Sequence, residues 1–334
     1  MNRQDVARLL EHFPHLRVAV IGDLMMDHYI SGTATRISPE APVPIVRVRQ
    51  RKSVLGGAAN VMRNLTSLGV PTVAFGVTGT DKGGDELMAL CRQGGIDTSR
   101  IVRVADRRTT LKTRVIADRQ QVVRIDEEDD EPLAADVAAE LAERICGAID
   151  RHEVQAVIIE DYNKGVITPD LARMIQQRAS AAGVFTALDP HPGNPLNVTG
   201  LSLMTPNRAE AFALANVYHK STVLPVTNDL PLAEVGSRLL ATWQPEMLLV
   251  TLGAEGMAMI QPGQPIHHVP TVAREVFDVS GAGDTVIAAF TAAHLAGLGA
   301  HDAMVFANHA AGVVVGKVGT VPIEPADLLA TFAE

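Results

Sequence analysis

Two glycines and an aspartate lie directly before an apolar, helix-like run near the C-terminus. Residues 278–285 are DVSGAGDT, and the next five residues are VIAAF. A helix N-terminus has unpaired backbone N–H groups and a dipole that favours an anion, and glycines let that backbone approach a phosphate closely. Asp284 places a carboxylate beside this site, where it could take a proton from a hydroxyl that attacks a phosphoryl group. The alternative is an ordinary turn into a helix, with Asp284 as a favourable first-turn carboxylate.

A second pair of glycines, Gly56 and Gly57, also begins a helix-like segment, and Asn60 follows in its first turn. Asp23 and Asp27 come just after the first apolar strand of the chain. Ligands of open α/β sheets gather at the carboxyl ends of the strands, so these side chains are candidates to hold sugar hydroxyls. The alternatives are a glycine-rich helix cap and an aspartate that caps the next turn.

Two more motifs follow predicted strands later in the chain. Residues 205–210 are TPNRAE, in which Asn207 and Glu210 have the spacing of a capping box. The functional alternative makes them partners of Mg²⁺ and its waters near nucleotide phosphates. Residues 250–256 are VTLGAEG, a glycine turn around Thr251 and Gly253 that could present N–H groups to a nucleotide or could be a plain β-turn.

Composition and missing motifs exclude several classes of function. The formal net charge is −9, with 29 basic and 38 acidic residues, so a general nucleic-acid surface is not expected. The sequence has neither GxxxxGK[ST] nor HExxH, and GAG at 281–283 lacks the last glycine of a dinucleotide fingerprint. Cys91 and Cys146 have the context of core residues in a reducing compartment. With neither an apolar signal core nor a membrane-length apolar segment, a cytoplasmic protein is expected.

Short apolar runs alternate with helix-like segments along most of the chain. The predicted strands cover residues 18–21, 72–77, 156–159, 184–188, 201–204 and 248–251, and the predicted helices cover residues 58–68, 84–93, 134–149, 169–182, 208–215, 232–243, 282–296 and 301–315. This order predicts an α/β fold with a mostly parallel central sheet and helices on both faces. We expect residues 1–334 to form a single domain.

Two regions, roughly residues 27–51 and 107–126, interrupt this alternation with exposed, period-2 strand patterns. They could pair into a small β-sheet lid. A lid with one apolar face would tend to bury it against a second copy, so a homodimer through the lid strands is expected and a monomer mass in solution would contradict it. The acidic run at 126–131 is interpreted as a solvated loop, because it lacks the spacing of a calcium loop.

These motifs together resemble the ribokinase-like (PfkB) family of sugar kinases. The family's glycine motif near the N-terminus matches residues 56–60, and its DTxGAGD motif matches residues 278–284, with Val279 and Ser280 in the variable places. The resemblance covers nearly the whole chain. It implies a three-layer α/β/α sandwich, a small-molecule sugar substrate, and ATP with Mg²⁺.

The resemblance also implies roles for individual residues. Asp284 would be the general base, with an anion hole formed by the N–H groups of Gly281, Ala282 and Gly283. The sugar hydroxyls would be held by Asp23, Asp27, Gly56, Gly57 and Asn60. The ATP phosphates and a water-bound Mg²⁺ would be organised by Asn207 and Glu210, and the nucleotide site would be lined by Thr251, Gly253 and Asn308. Candidates for the sugar and its distal phosphate are Lys112, Arg124, Asp161 and Lys164.

Within this family the sequence is most similar to the bacterial kinases of D-glycero-β-D-manno-heptose 7-phosphate. The segments that carry this resemblance are 22–27 (GDLMMD), 36–44 (RISPEAPVP) and 161–165 (DYNKG). The resemblance implies phosphorylation of the C1 hydroxyl to the 1,7-bisphosphate, on the route to ADP-heptose for lipopolysaccharide. Because the sequence ends at Glu334 without an HxGH motif, a kinase separate from the adenylyltransferase is expected. Asn163 departs from the glycine expected in this turn, although asparagine tolerates the left-handed conformation.

The alternatives are the same fold acting on another sugar, such as a ribokinase or a phosphofructokinase-like enzyme, and a non-catalytic sugar-binding regulatory protein. Intact Asp284 and an intact glycine loop argue against the second of these.

Overall fold

Strands and helices alternate through the computed structural model, which describes residues 1–118, 120–273, 276–317 and 319–333. The strands are β1 (Val18–Gly22), β2 (Leu24–Thr33), β3 (Arg47–Gly57), β4 (Thr72–Gly79), β5 (Asp97–Val104), β6 (Thr110–Ala117), β7 (Gln120–Glu127), β8 (Ala156–Glu160), β9 (Phe185–Asp189), β10 (Leu203–Met204), β11 (Met247–Thr251), β12 (Met257–Ile260) and β13 (His267–Val269). The helices are α1 (Arg3–His12), α2 (Ala58–Ser67), α3 (Lys82–Gln93), α4 (Ala135–Asp150), α5 (Pro169–Ala182), α6 (Arg208–Leu214), α7 (Leu230–Trp243), α8 (Ala282–Leu295), α9 (Ala300–Val315) and α10 (Pro325–Leu329).

Nine strands form the large sheet, in the order β13-β12-β11-β10-β9-β8-β1-β4-β5. The seven strands from β11 to β5 pair in parallel, and β12 and β13 add an antiparallel edge. Strands β1 and β8 are buried along their whole length, as expected when helices cover both faces of a parallel sheet. The predicted mostly parallel sheet is therefore confirmed.

Each face of this sheet has its own apolar core. Side chains of α2, α3, α8 and α9 pack on one face, and side chains of α4, α5, α6 and α7 pack on the other. Because successive residues of a strand point to opposite faces, Ile158 lies in the first core and Ile159 in the second. This alternation decides on which side the residues at the strand ends project.

The second sheet has four strands in the order β3-β2-β6-β7, with β2 and β6 parallel and the outer pairs antiparallel. The predicted small sheet is confirmed, although β2 begins at Leu24 and so precedes the predicted region. The chain passes from β1 into β2 after Asp23 alone, so the carboxyl end of β1 adjoins the small sheet.

Other differences between the predicted and the observed strands lie where the sequence pattern is weak. Strand β10 has two residues where residues 201–204 were predicted, and β5 was not predicted at all. Ser99 and Arg103 of β5 are exposed at the edge of the sheet, and these polar residues interrupt the apolar run expected of a buried strand. Among the described residues, the helices are too short or too polar to cross a membrane.

Candidate active site

Asp284 lies in the first turn of α8 and is buried at 8% exposure. Both of its carboxylate oxygens accept hydrogen bonds from elements distant in sequence. Asn60 Nδ2 donates to Oδ2 at 2.7 Å, and the Tyr162 hydroxyl donates to Oδ1 at 2.6 Å. The two glycine motifs recognised in the sequence therefore meet, because α2 packs against α8.

Glycine is required where the two motifs approach each other. Gly281 caps α8 with φ 78°, and a Cβ there would lie 2.6 Å from Asn60 Nδ2. Gly57 has φ 54°, and a Cβ there would lie 2.9 Å from the Asp23 carbonyl oxygen. The N–H of Ala282 donates to the Val279 carbonyl at 3.2 Å, so one of the three predicted anion donors is already used in this structure.

Two carboxylates that sequence reasoning missed lie beside Asp284. Glu160 ends β8 and Asp189 ends β9, and they face each other in the parallel register. The ligand oxygens of Glu160, Asp189 and Asp284 all lie within 4.8 Å of one another. The sequence could have identified them, because each is a carboxylate at the carboxyl end of a buried apolar strand. Asp23 was identified from the sequence by the same feature.

Burial dominates the electrostatics of this acidic group. Desolvation raises the pKa of Asp284 above its usual range, against the lowering effect of the hydrogen bonds from Tyr162 and Asn60. The pKa values of Glu160 and Asp189 are raised well above theirs by desolvation first and by neighbouring carboxylates second. A cation or shared protons must therefore compensate this cluster of charge.

The Asp23 carboxylate accepts hydrogen bonds from backbone N–H groups of the loop after β8. It accepts from Tyr162 at 2.8 Å, from Lys164 at 3.1 Å and from Val166 at 3.2 Å. Asp23 therefore caps a loop distant in sequence and not the next turn, which was the alternative considered from the sequence, and its contacts hold the loop that carries the Tyr162 hydroxyl to Asp284. Asn163 in this loop has φ 55°, the left-handed conformation that asparagine was expected to tolerate. A sugar-binding role of Asp23 stays a prediction.

Asp161 begins this loop, and Asp27 lies in β2 of the small sheet. Asp161 Oδ1 accepts from the N–H of Asn163 at 2.8 Å, and burial raises the pKa of Asp161 to about 7. Asp27 forms an ion pair with Arg114 of β6 and lies next to Gly56, where a Cβ would be 3.0 Å from Asp27 Oδ2. Arg114 was not singled out from the sequence, where it appears as one residue of an alternating strand.

The three basic candidates for the distal phosphate are engaged by the acidic run at 126–131. Lys164 Nζ donates to Glu128 Oε1 at 2.6 Å, and Lys112 Nζ lies 3.7 Å from Glu128 Oε2. Arg124 makes two bonds of 2.9 Å to Asp126 on an exposed face of β7. The interpretation of this run as a solvated loop is therefore wrong for Glu128, because β6 and the loop after β8 bring lysines to it.

The predicted nucleotide residues lie at the carboxyl ends of β10 and β11 and on α9. Asn207 and Glu210 form the expected capping box at the start of α6, with bonds of 3.0 and 2.8 Å. Thr251 bridges to Asn207 across the sheet end, and Gly253 follows with φ 61°. Asn308 is buried and donates to the Pro270 carbonyl at 2.8 Å. Their contact with a nucleotide stays a prediction.

The oxygen donors around Asp284 fit a hard cation such as Mg²⁺. Three carboxylates converge there, and neither oxygen of buried Glu160 has a hydrogen-bond partner among the described residues. Mg²⁺ prefers carboxylate and water oxygens, so the chemistry of this donor set matches the ion that ATP-dependent phosphoryl transfer requires.

Comparisons with known proteins agree with this geometry. Residues 15–327 match the model of the pfkB family of carbohydrate kinases. The chain is 39% identical over 332 residues to the bifunctional protein HldE of Geobacter sulfurreducens, covering 99% of this chain and 66% of that protein. It is 41% identical over 304 residues to HldE of Helicobacter pylori J99, covering 91% and 64%. The chain thus spans about two thirds of the length of these relatives.

Solved structures share the fold. The Arabidopsis thaliana ribokinase complexed with ribose and ATP matches with a TM-score of 0.71 at 19% identity, covering 95% of this chain and 98% of that one. Phosphofructokinase-2 of Escherichia coli, in complex with substrates and products, matches with a TM-score of 0.76 at 18% identity and the same coverage. The chain belongs to the pfkB family of carbohydrate kinases, and it is a sugar kinase.

Proposed function

We propose that this kinase transfers the γ-phosphoryl group of ATP to the C1 hydroxyl of D-glycero-β-D-manno-heptose 7-phosphate. The product is the 1,7-bisphosphate, on the route to ADP-heptose for lipopolysaccharide. The observation that carries the proposal is the position of Asp284, buried at the N-terminus of α8 and held by Asn60 and Tyr162. A carboxylate fixed beside a helix N-terminus can accept the hydroxyl proton while the adjoining N–H groups stabilise the transferring phosphoryl group.

The chain's own residues have distinct parts in this proposal. Each Asp284 oxygen has a second lone pair besides the one that accepts from Asn60 or Tyr162, so a substrate hydroxyl can still donate to it. Asn60 Oδ1 is buried without a partner among the described residues, and it is available to a sugar hydroxyl. Mg²⁺ bound with ATP supplies neutralisation of phosphate charge. Glu210, whose charge adds to desolvation in raising the pKa of Asp189, is the proposed water-mediated partner of that ion.

The choice of heptose rests on the sequence resemblance of segments 22–27, 36–44 and 161–165. The last segment supports the proposal further, because it is the loop that Asp23 holds and that places Tyr162 against Asp284. Residues of this loop that contact the substrate would therefore lie beside the hydroxyl that reacts.

The test is ATP consumption by the purified protein with Mg²⁺ against a panel of sugars. The panel contains D-glycero-D-manno-heptose 7-phosphate, fructose 6-phosphate, fructose 1-phosphate and ribose, and ³¹P NMR locates the new phosphate. We expect turnover on the heptose phosphate with a new anomeric phosphate signal. Turnover on another sugar alone would contradict the heptose assignment, and binding without turnover would contradict the catalytic role.

Binding of the distal phosphate is tested at Lys164, whose side chain is 17% exposed and whose ammonium group pairs with Glu128. We expect Lys164→Met to raise KM for the sugar phosphate about tenfold or more, since a hydrogen bond to a charged group contributes ~1.5–3 kcal/mol. KM for ATP should change by less than about twofold. Steady-state kinetics with each substrate varied in turn measure both values.

Lys317→Met is the matched control, because Lys317 forms an exposed ion pair with Asp327 on α10. Arg124→Ala tests the other candidate in the same assay. The side chain of Arg124 is more exposed than that of Lys164, at 49%. Equal rises in both KM values for Lys164→Met would assign Lys164 a structural role instead.

We also propose a homodimer formed through the small sheet. Strand β7 presents Val123 and Ile125 to solvent on one face, at 46% and 50% exposure, and exposed apolar side chains on a strand face favour burial against a second copy. Light scattering of the purified protein is expected to give twice the chain mass. A mass equal to one chain would contradict the dimer.

A further inference from the structure

Two lysines from separate elements converge on one carboxylate near the candidate active site. Lys112 lies in β6 and Lys164 in the loop after β8, and both face Glu128, which directly follows β7. Lys164 Nζ donates to Glu128 Oε1 at 2.6 Å, and Lys112 Nζ lies 3.7 Å from Glu128 Oε2. The three side chains are only 17–23% exposed, so salt screens their charges less than it screens charges on the open surface.

The elements that carry these lysines also border the reacting centre. Lys164 belongs to the same loop as Tyr162, whose hydroxyl donates to Asp284. Lys112 is the partner of Asp27 in the register of β6 and β2, and β2 continues almost directly from the carboxyl end of β1. An anion bound by both ammonium groups would therefore belong to a ligand that also reaches the active site.

Glu128 leaves part of the hydrogen-bonding capacity of this group unused. Its Oε2 atom is buried and has no hydrogen-bond partner in the described part of the chain. Lys112 Nζ lies 3.7 Å from that oxygen and 3.9 Å from Asp126 Oδ2, and both distances are too long for a hydrogen bond. A phosphate ester carries more negative charge than a carboxylate and has three terminal oxygens, so it can accept from both ammonium groups.

The Glu128 side chain can turn away without unfolding the segment that carries it. Arg107 holds the backbone on both sides, because its guanidinium donates to the Asp129 carbonyl at 3.1 Å, to the Glu131 carbonyl at 3.0 Å and to the Lys164 carbonyl. The Glu128 side chain has several rotatable bonds and is partly exposed, so a change of rotamer brings its carboxylate into water. Displacement therefore requires movement of one side chain only.

We propose that Glu128 occupies the position of the substrate's distal phosphate in the free enzyme, and that the phosphate displaces it. This inference rests on the proposed function, which assigns Lys112 and Lys164 to that phosphate. Glu128 then contributes to specificity. A phosphorylated sugar replaces the carboxylate with a more highly charged partner for both lysines. An unphosphorylated sugar that displaced it would leave two partly buried ammonium groups without an anion.

The test is the affinity for inorganic phosphate, measured by ³¹P NMR titration at constant ionic strength without ATP or sugar. We expect Glu128→Gln, which keeps the shape and removes the charge, to bind phosphate about three- to tenfold more tightly, because a competing anion lowers the fraction of molecules able to bind. Glu127→Gln is the matched control, since it removes the same charge from the exposed neighbouring residue of β7. It should bind phosphate like the unchanged protein. Lys164→Met should lose this binding, which distinguishes the lysine pair from the glycine loop as the site of the phosphate.

Steady-state kinetics give a second readout. KM for the phosphorylated sugar should fall in Glu128→Gln by a similar factor, and KM for ATP should change by less than about twofold. If Glu128→Gln does not fold, Glu128→Ala replaces it in both experiments. A phosphate affinity no higher than that of Glu127→Gln would overturn the proposal and make Glu128 a structural partner of the lysines. Phosphate binding that survives Lys164→Met would overturn it as well. The titration contains no sugar, so an error in the heptose assignment would appear only in the sugar panel.

Discussion

Asp284→Asn is expected to lower kcat by about 10²–10⁴-fold while leaving the affinities for ATP and sugar phosphate nearly unchanged. The amide cannot take the proton of the attacking hydroxyl at neutral pH. The contacts of the side chain should survive, because the amide oxygen can accept from Asn60 and the amide nitrogen can donate to the Tyr162 hydroxyl, which can accept. Loss of a buried charge should leave the Tm equal or higher.

The measurement combines steady-state turnover with equilibrium binding of each substrate and thermal unfolding. Asp302→Asn is the matched control, since Asp302 is an exposed carboxylate in the first turn of the neighbouring helix α9. That variant should keep normal turnover. Near-normal turnover of Asp284→Asn would remove Asp284 from the mechanism, and lost substrate binding would make it a binding residue.

Gly281→Ala is expected to lower kcat by about 10²–10³-fold, the effect of removing one donor from an oxyanion site. A Cβ at this position would lie 2.6 Å from Asn60 Nδ2, so Asn60 or the loop must move. Either movement disturbs the hydrogen bond from Asn60 to Asp284 or the N–H groups beside the phosphoryl group. The left-handed backbone, with φ 78°, adds about 1–2 kcal/mol of strain.

Gly297→Ala separates the effect of backbone strain from the effect of the contact with Asn60. Gly297 follows the other end of α8 with φ 105°, but nothing lies within 4 Å of the position of its Cβ. This control should lose similar stability through backbone strain and keep its turnover. Kinetics and thermal unfolding of both variants provide the comparison. Equal losses of kcat would show that strain in α8, and not the contact with Asn60, limits the enzyme.

The fold was predictable wherever the pattern was local. Buried parallel strands such as β1 and β8 are apolar along their whole length, and glycine follows α5 at residue 183 in the left-handed conformation. The order of these elements was enough to predict the mostly parallel sheet with helices on both faces. Edge strand β5 was missed because part of it faces solvent and its pattern lacks a continuous apolar run.

The candidate site was predictable only in part. The sequence identified both glycine motifs and Asp284, because their chemistry depends on residue type and short spacing. It did not identify Glu160 or Tyr162 as neighbours of Asp284, nor Arg114 as the partner of Asp27. The contact of Tyr162 with Asp284 joins side chains 122 residues apart and that of Arg114 with Asp27 joins side chains 87 apart, and such contacts depend on strand register and helix packing.

The partners of the basic residues also depended on tertiary structure more than on local sequence. The family resemblance made Lys112, Arg124 and Lys164 candidates to bind the distal phosphate. Arg124 pairs locally with Asp126 on the same strand, but tertiary structure brought Glu128 to both Lys112 and Lys164. An ion pair between distant segments leaves no trace in local spacing.

By itself, the sequence determined the order of strands and helices and the two glycine loops, and it made Asp284 the candidate base, because backbone preference, apolar periodicity and residue chemistry act over a few positions. Only the tertiary structure decided that Asp23 holds the loop carrying Tyr162, and that Glu160 and Asp189 lie beside Asp284. The physical reason is that pairing register and the packing of α8 on β8 and β9 decide which charges meet, and both are properties of the folded chain.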